Sequence, residues 1–279
     1  MSGFLVTGAT GNVGRLVADR LRAAGVAVRA LVRDPARAGL PEGVEVAEGD
    51  LTRPDTVAGA LAGVDSVFLV WPFLSTEGAA EVLRALDGRR VVYLSSSGVD
   101  DAAARQGDPI NRLHADMEAL VRASGSPWTA LRADTIASNT LGWAGQIRAT
   151  GTVSGPDIAP TAVIDPRDIA EVAARVLTGP GHEGATYVLT GPEVVSRADQ
   201  VRAIGEAIGR PLRFEAVPAE VARERMLADG RPPALVDALL AGAESRTPST
   251  LITTTVRDLT GSPARPFRQW AADHADRFR

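Results

Sequence analysis

The sequence predicts a doubly wound parallel α/β fold with a smaller, mostly helical lobe, and three observations point there. A glycine-punctuated turn joins the first apolar run, Phe4–Thr7, to the first helix-spaced stretch. Strand-like and helix-like segments then alternate as far as Leu189, and from about Pro192 the pattern is mostly helical. Such alternation implies right-handed crossovers and a parallel sheet covered by helices on both faces.

The elements follow in order. Val13, Leu16, Val17 and Leu21 repeat at helical spacing, and Gly25 closes that helix. Val26–Val32 reads as a second strand, stopped by Asp34 and Pro35, and Val44–Val46 as a short third before Gly49 and Asp50. A helix over Pro54–Leu61, a strand over Ser66–Val70, a helix over Gly78–Leu86 and a strand over Val91–Leu94 come next. A helix over Asn111–Ala123 carries the stripe Leu113, Met117, Leu120 and Val121, and Trp128–Leu131 follows as a strand. From Asn139 through Pro160 glycines and prolines weaken the regularity, before a helix over Asp168–Leu177 and a strand over Tyr187–Leu189. Asp168 is expected to cap its helix. The rest is helical, with loops at Pro232–Pro233 and Ser262–Pro263.

Composition excludes several chemistries. The 279 residues contain no cysteine, which removes disulfides, thiolate metal sites and cysteine nucleophiles. Three scattered histidines, His114, His182 and His274, make no zinc cage, so no metal is expected. All 30 basic residues are arginine, so no step can use a lysine ammonium. A net charge of −4 and a pI near 5.5 give no basic footprint for nucleic acid. No export signal or membrane span is evident, and a cytoplasmic protein acting as a monomer or homodimer on a small molecule is expected.

The first turn carries the chemistry. Thr7–Gly14 spaces its glycines as G-x-x-G-x-x-G at Gly8, Gly11 and Gly14, directly between a strand and a helix. One glycine allows the tight turn, one a close approach to a pyrophosphate, and one close helix–strand packing, which makes this a Rossmann-type dinucleotide site. Helix N-terminal amides then face the phosphates. Thr7, Gly8, Thr10, Gly11, Asn12, Val13 and Gly14 are the expected cradle. The chain reads as a single domain over 1–279, with about 1–138 plus 164–191 as the dinucleotide-binding core and about 139–163 plus 192–279 as a substrate lobe.

Cofactor choice is read where the second strand ends. Arg33, with Arg37 one turn on, suits a ribose 2′-phosphate, whereas Asp34 stands where a carboxylate would meet a 2′-hydroxyl. Because Asp before Pro commonly initiates a turn, NADPH is expected ahead of NADH. Asp50, followed by Leu51, either meets the adenine or opens the next helix. Trp71, Pro72 and Phe73, at the ligand-facing end of the fourth strand, either wall the nicotinamide or pack the lobe.

Thr7–Gly14 followed by Arg29–Pro35 resembles the NmrA-like branch of the atypical short-chain dehydrogenases/reductases. Gly49–Thr52, Gly63–Phe68, Ser124–Arg132, Ile164–Ala170 and Tyr187–Gly191 extend the likeness over most of the chain, leaving the stretch from Phe267 outside it. The resemblance implies an NAD(P)-binding fold. It also implies either a reductase of the quinone, isoflavone or phenylcoumaran ether type or a cofactor-sensing regulator without catalysis. The Tyr-x-x-x-Lys pair of conventional members is absent, since the only tyrosines are Tyr93 and Tyr187 and there is no lysine. Tyr93, inside an apolar strand, reads as a packed aromatic.

In isoflavone-reductase-like relatives a catalytic lysine precedes the segment matched by Ser124–Thr129, and its place falls on His114. That imidazole is either a proton donor or an exposed side chain paired with Glu118 one turn on. Among Ser95, Ser96 and Ser97 the resemblance implies a substrate-orienting hydroxyl, against a simple polar turn, with Ser96 and Ser97 the choices. Asn139 resembles a pocket asparagine of quinone-reductase-like members, with Trp143 a turn later; both could instead serve as helix cap and core. The expectation is an NADPH-dependent reductase of a quinone-like or other conjugated carbonyl. The rivals are a non-catalytic NADP(H) sensor and a non-redox enzyme acting on an aromatic metabolite.

Overall fold

A computed structural model describes residues 3–245 and 248–279. The chain order is β1 (Gly3–Val6), α1 (Gly14–Ala23), β2 (Ala27–Val32), β3 (Glu45–Glu48), α2 (Pro54–Gly59), β4 (Val64–Leu69) and α3 (Ala79–Ala85). Next come β5 (Arg90–Ser96), α4 (Pro109–Ala123), β6 (Trp128–Ala133), α5 (Ala144–Thr150), β7 (Thr152–Gly155), α6 (Pro166–Thr178) and β8 (Ala185–Leu189). The chain finishes with α7 (Arg197–Ile208), β9 (Arg213–Ala216), α8 (Ala219–Ala228), α9 (Pro233–Ser245), α10 (Thr255–Thr260) and α11 (Phe267–Asp273).

Seven strands form one wholly parallel sheet in the order β3-β2-β1-β4-β5-β6-β8. Order reverses between β1 and β4, which opens a crevice beyond their carboxyl ends, the place where such sheets bind ligands. The strands are apolar on both faces because both are covered. On one face Val6, Val28, Ala30 and Leu131 pack under α1 and α6, with Val17, Leu21, Val172 and Val176 fully buried. On the other, Leu5, Val67, Leu69, Val91 and Tyr93 pack under α2, α3 and α4.

A separate core joins Ala144 and Ile147 of α5, Val153 of β7, Val201 and Ile204 of α7, and Phe267 and Trp270 of α11. The late segment is not confined to that core, for Val256 of α10 returns to the α1/α6 face of the large sheet.

Two features depart from expectation. The irregular stretch 139–163 contains α5 and β7, and the helical remainder contains β9, which pairs in parallel with β7. Each strand turns one large apolar residue, Val153 or Phe214, towards the core, too little to register as alternation. The cap of α6 is Asp165, whose carboxylate accepts from Arg167 N at 2.8 Å. Asp168 is fully buried instead, accepting from the Arg265 backbone N at 2.7 Å and pairing with its guanidinium, so it ties α6 to the chain before α11.

Candidate functional site

The glycine loop sits at the β1/β4 switch. Thr7 N donates to Phe68 O at 3.0 Å, the Thr7 hydroxyl donates to Val70 O at 3.1 Å, and Val70 N donates back to it at 2.8 Å. These bonds stitch the ends of β1 and β4 together at the crevice. Gly8 has φ +60°, and a Cβ there would stand 3.0 Å from Val70 Cβ. A Cβ on Gly14 would lie 2.3 Å from Gly8 O and 2.7 Å from its carbonyl carbon, so only hydrogen fits where α1 crosses the turn.

No side chain caps α1 and no acidic residue occupies its first turn, which leaves its N-terminal end to attract an anion. Gly8, Thr10, Gly11 and Asn12 are exposed along the loop. Thr7, Val13 and Gly14 are buried and support it from beneath. These residues fit a diphosphate in the shape of the loop and in its electrostatics.

At the end of β2, Arg33 and Arg37 are exposed. The Asp34 carboxylate accepts from Ala36 N at 3.1 Å and caps a short 3-10 turn, Pro35–Arg37, so it is spent locally. Asp50 Oδ1 accepts from Thr52 N at 2.9 Å. That amide holds the Asp50 carboxyl below the usual carboxylate range, opposed by slight burial and helped by the Thr52 side chain, Arg33 and Arg53. Asp50 lies in the turn ahead of α2, whose own cap position is Arg53, so it does not open the helix. The Leu51 side chain is buried in the core beneath α2.

Beyond β4, Trp71 is buried, donates from Nε1 to Ser75 O at 2.7 Å, and meets Phe73 edge-on at 5.0 Å. It belongs to the core under α3, while Phe73 is half-buried and Pro72 exposed. After β5, the Ser96 hydroxyl donates to Asn111 Oδ1 at 2.8 Å and accepts from Gly98 N at 3.1 Å, so it shapes the turn. Ser97 is half-buried and anchored through its backbone to Ala133 O at 2.9 Å. Asn139 is exposed on the 3-10 turn Ala137–Trp143, whose cap position is Ile136, so Asn139 caps nothing. Trp143 is half-buried against the separate core of α5, α7 and α11.

His114 and Glu118 do not pair. The imidazole Nδ1 shares a 2.8 Å hydrogen bond with the Tyr93 hydroxyl, and the ring is half-buried, not exposed. Burial pushes His114 below its ordinary value of 6.5, with Glu118 and Asp108 opposing. Tyr93 is fully buried, and that burial, with Glu118 nearby, drives its pKa far upward.

Glu118 is buried and committed elsewhere. It accepts from Ser95 Oγ at 2.6 Å, from Arg132 Nε and Nη2 both at 2.8 Å, and from Arg122 Nη2 at 2.7 Å. Arg132 also makes a bidentate contact to Asp101 at 2.6 and 2.7 Å, which ties the loop after β5 to β6 and α4. The sequence reading missed this network. Its signal was a charged residue closing the apolar strand run before Ala133, where a lone charge is too costly to bury unpaired.

Fold and loop together define a Rossmann-type nucleotide-binding protein, and comparison with known proteins gives the family. Residues 8–180 match the NAD(P)H-binding family, and the chain belongs to it. The chain is 44% identical, over 99% of both chains, to (4-alkanoyl-5-oxo-2,5-dihydrofuran-3-yl)methyl phosphate reductase of Streptomyces griseus. It is 36% identical, again over 99% of both, to an NAD(P)H azoreductase of Xenophilus azovorans. An NADPH-dependent quinone oxidoreductase of Escherichia coli, solved with NADPH, superposes with a TM-score of 0.80 at 24% identity. That match covers 97% of this chain and 99% of the other, and it shows the shared fold. No helix among the described residues is long and apolar enough to cross a membrane. No group of potential metal ligands occurs among them either.

Proposed function

We propose that this chain is an NADPH-dependent reductase of conjugated carbonyl compounds. The observation that carries the cofactor choice is the end of β2, where Arg33 is exposed and Asp34 is turned into its own 3-10 cap. A guanidinium matches a 2′-phosphate in charge and shape, and a committed carboxylate offers little to a 2′-hydroxyl. Replacing Arg33 by alanine should weaken NADPH binding about 10- to 100-fold, the worth of one charge-assisted bond, and leave NADH binding unchanged. Calorimetry with both nucleotides checks this; equal losses for the two would remove Arg33 from cofactor selection.

The substrate class follows from what the relatives have in common. A dihydrofuranone bearing an acyl group on its ring alkene, an azo compound and a quinone all present an electron-poor, conjugated double bond that can accept hydride. Such acceptors need less proton assistance at the oxygen than an isolated ketone. This chain offers correspondingly little, since it has no lysine, Tyr93 is buried and Tyr187 is bonded to His182 at 2.8 Å. The bound dinucleotide supplies hydride at its nicotinamide. The protein's own part is to hold the diphosphate at Gly8–Gly14, select the 2′-phosphate at Arg33 and present Ser97, Phe73 and Asn139 to the substrate. The smaller lobe, about 139–163 plus 192–279, supplies the substrate side of the crevice.

In this reading His114 holds a proton at its ring, oriented through Nδ1 by Tyr93. His114→Ala is expected to lower turnover about 100-fold, the lower end of general acid–base assistance, with NADPH affinity unchanged. An unchanged rate would assign the proton to water. The same residue sets a stability trend. The unfolded chain takes up a proton near 6.5 that the buried ring refuses, so this contribution is complete above pH 6.5 and declines as pH falls below it. Denaturant unfolding between pH 5 and 7.5 should show that slope, shallower in His114→Gln.

The missing tyrosine–lysine pair favours a second reading, a non-catalytic NADP(H) sensor. Consumption of NADPH with an acyl-dihydrofuranone, an azo dye or menadione separates the two. A protein that binds the nucleotide but turns over none of these is the sensor.

A further inference from the structure

A cleft of about 1030 Å³ lies between α5, the β7–β9 ribbon and the end of α8. Arg213, Arg225 and Arg231 line it, against the two carboxylates Glu215 and Asp229. Glu215 is partly occupied: it accepts from Ser154 Oγ at 2.9 Å and stands 3.9 Å from Arg225 Nη1. The Arg213 and Arg231 guanidinium groups form no ion pair or side-chain hydrogen bond among the described residues. The cleft therefore holds more cationic than anionic capacity.

Arg231 is the telling member. It is half-buried, where an unpaired guanidinium loses hydration without compensation. Its Nη2 lies 3.3 Å from where a Cβ on Gly142 would stand. Gly142 belongs to the same 3-10 turn, Ala137–Trp143, as Asn139 and Trp143. A cation without a partner thus rests directly on the turn assigned to the substrate side, and glycine at 142 leaves it room. A planar fork of donors beside an open volume suits a phosphate monoester, which can take two parallel hydrogen bonds from one guanidinium.

We propose that this cleft seats a phosphoryl group on the substrate, with Arg231 as the specificity-determining residue and Arg225 and Arg213 as supporting cations. The substrate is then a conjugated carbonyl compound bearing a phosphate monoester on a short arm. This deepens the reductase reading and rests on it. The Streptomyces griseus relative, named for a methyl phosphate ester, is consistent in kind. The arginines of this chain supply the physical reason.

The test compares an acyl-dihydrofuranone methyl phosphate, the corresponding free alcohol and menadione as NADPH-coupled acceptors. Wild-type protein should show a KM for the ester at least about 10-fold below that for the alcohol, the effect of one charge-assisted contact. Arg231→Ala should raise the ester KM by about 10- to 100-fold. Its kinetics with the alcohol and menadione, and its NADPH affinity, should not change. Inorganic phosphate should compete with the ester in wild type and not in the variant. Arg231→Lys, which keeps the charge and loses the fork, should recover part of the difference. Equal KM values for ester and alcohol in wild type would overturn the proposal, as would an Arg231→Ala defect shared by all three acceptors. Should wild type reduce none of them, the reductase reading falls by itself. Calorimetry with the phosphate ester then decides the cleft: saturable heat lost in Arg231→Ala sustains it, and no heat in wild type overturns it.

Discussion

Gly14→Ala is expected to remove measurable NADPH binding, with a loss of at least about 100-fold, or roughly 2.7 kcal/mol. The reason is purely steric. The added methyl would stand 2.3 Å from Gly8 O, 2.7 Å from the Gly8 carbonyl carbon and 3.1 Å from Ala9 Cα. All three are backbone atoms, so no side-chain rotation relieves the clash, and either α1 moves off β1 or the Gly8 turn opens. Both shifts displace the backbone amides of the turn and of the first turn of α1, which the proposed function assigns to the diphosphate. Gly11→Ala separates folding from ligand contact: its methyl would meet only Gly8 O within the protein, at 3.2 Å, so the turn should be kept, and any loss of NADPH binding reports crowding of the diphosphate itself. Calorimetry against NADPH, with circular dichroism to confirm folding, checks the pair. Equal binding by wild type and Gly14→Ala would dissociate the loop from the cofactor.

Glu118→Ala is expected to be the most destabilising of the polar substitutions considered, by about 3–5 kcal/mol. Arg132 and Glu118 are both buried, and the one carboxylate left to Arg132 would be Asp101, which is 67% exposed and therefore screened by water. Ser95 Oγ and Arg122 lose their acceptor at the same time. On the scale for domains of 150–250 residues, each kcal/mol moves Tm by about 2–4 °C, so a fall of roughly 6–20 °C is expected. The damage comes from the stranded cation more than from the lost attraction. The double variant Glu118→Leu with Arg132→Met should therefore regain much of the stability, as apolar pairs often do in place of buried ion pairs. Thermal melts of both single variants and the double variant form the cycle. Additive losses would show that the two side chains act independently. Because Arg132 also grips Asp101 in the loop after β5, Glu118→Ala should also loosen the carboxyl end of that strand.

Much of the fold could be read along the chain because its signals are local. Strand runs such as Phe4–Thr7 and Val91–Leu94, and the stripe Leu113, Met117, Leu120 and Val121, carry their own periodicity, and the sheet then follows from crossover handedness. The glycine loop was legible for the same reason, since steric demands within nine consecutive residues, Val6–Gly14, decide it. Asp34 as a turn initiator was legible too, being a contact to an amide two residues away. What was misread involved choices between partners. His114 and Glu118 are one helical turn apart and look like a pair, yet each found a better partner across the interior: Tyr93 on β5 for the first, Arg132 on β6 for the second. Asp168 looks like a cap, yet its partner is Arg265, 97 residues away.

By itself the sequence determined the parallel sheet, the glycine turn between β1 and α1 and the absence of lysine and cysteine chemistry. Backbone sterics, apolar period and composition are properties of short stretches or of the whole list. Tertiary structure alone decided which polar groups are spent on one another and which remain free. A buried charge takes the partner that best repays its lost hydration, wherever in the chain that partner lies. That rule commits Glu118 to Arg132 and Asp168 to Arg265.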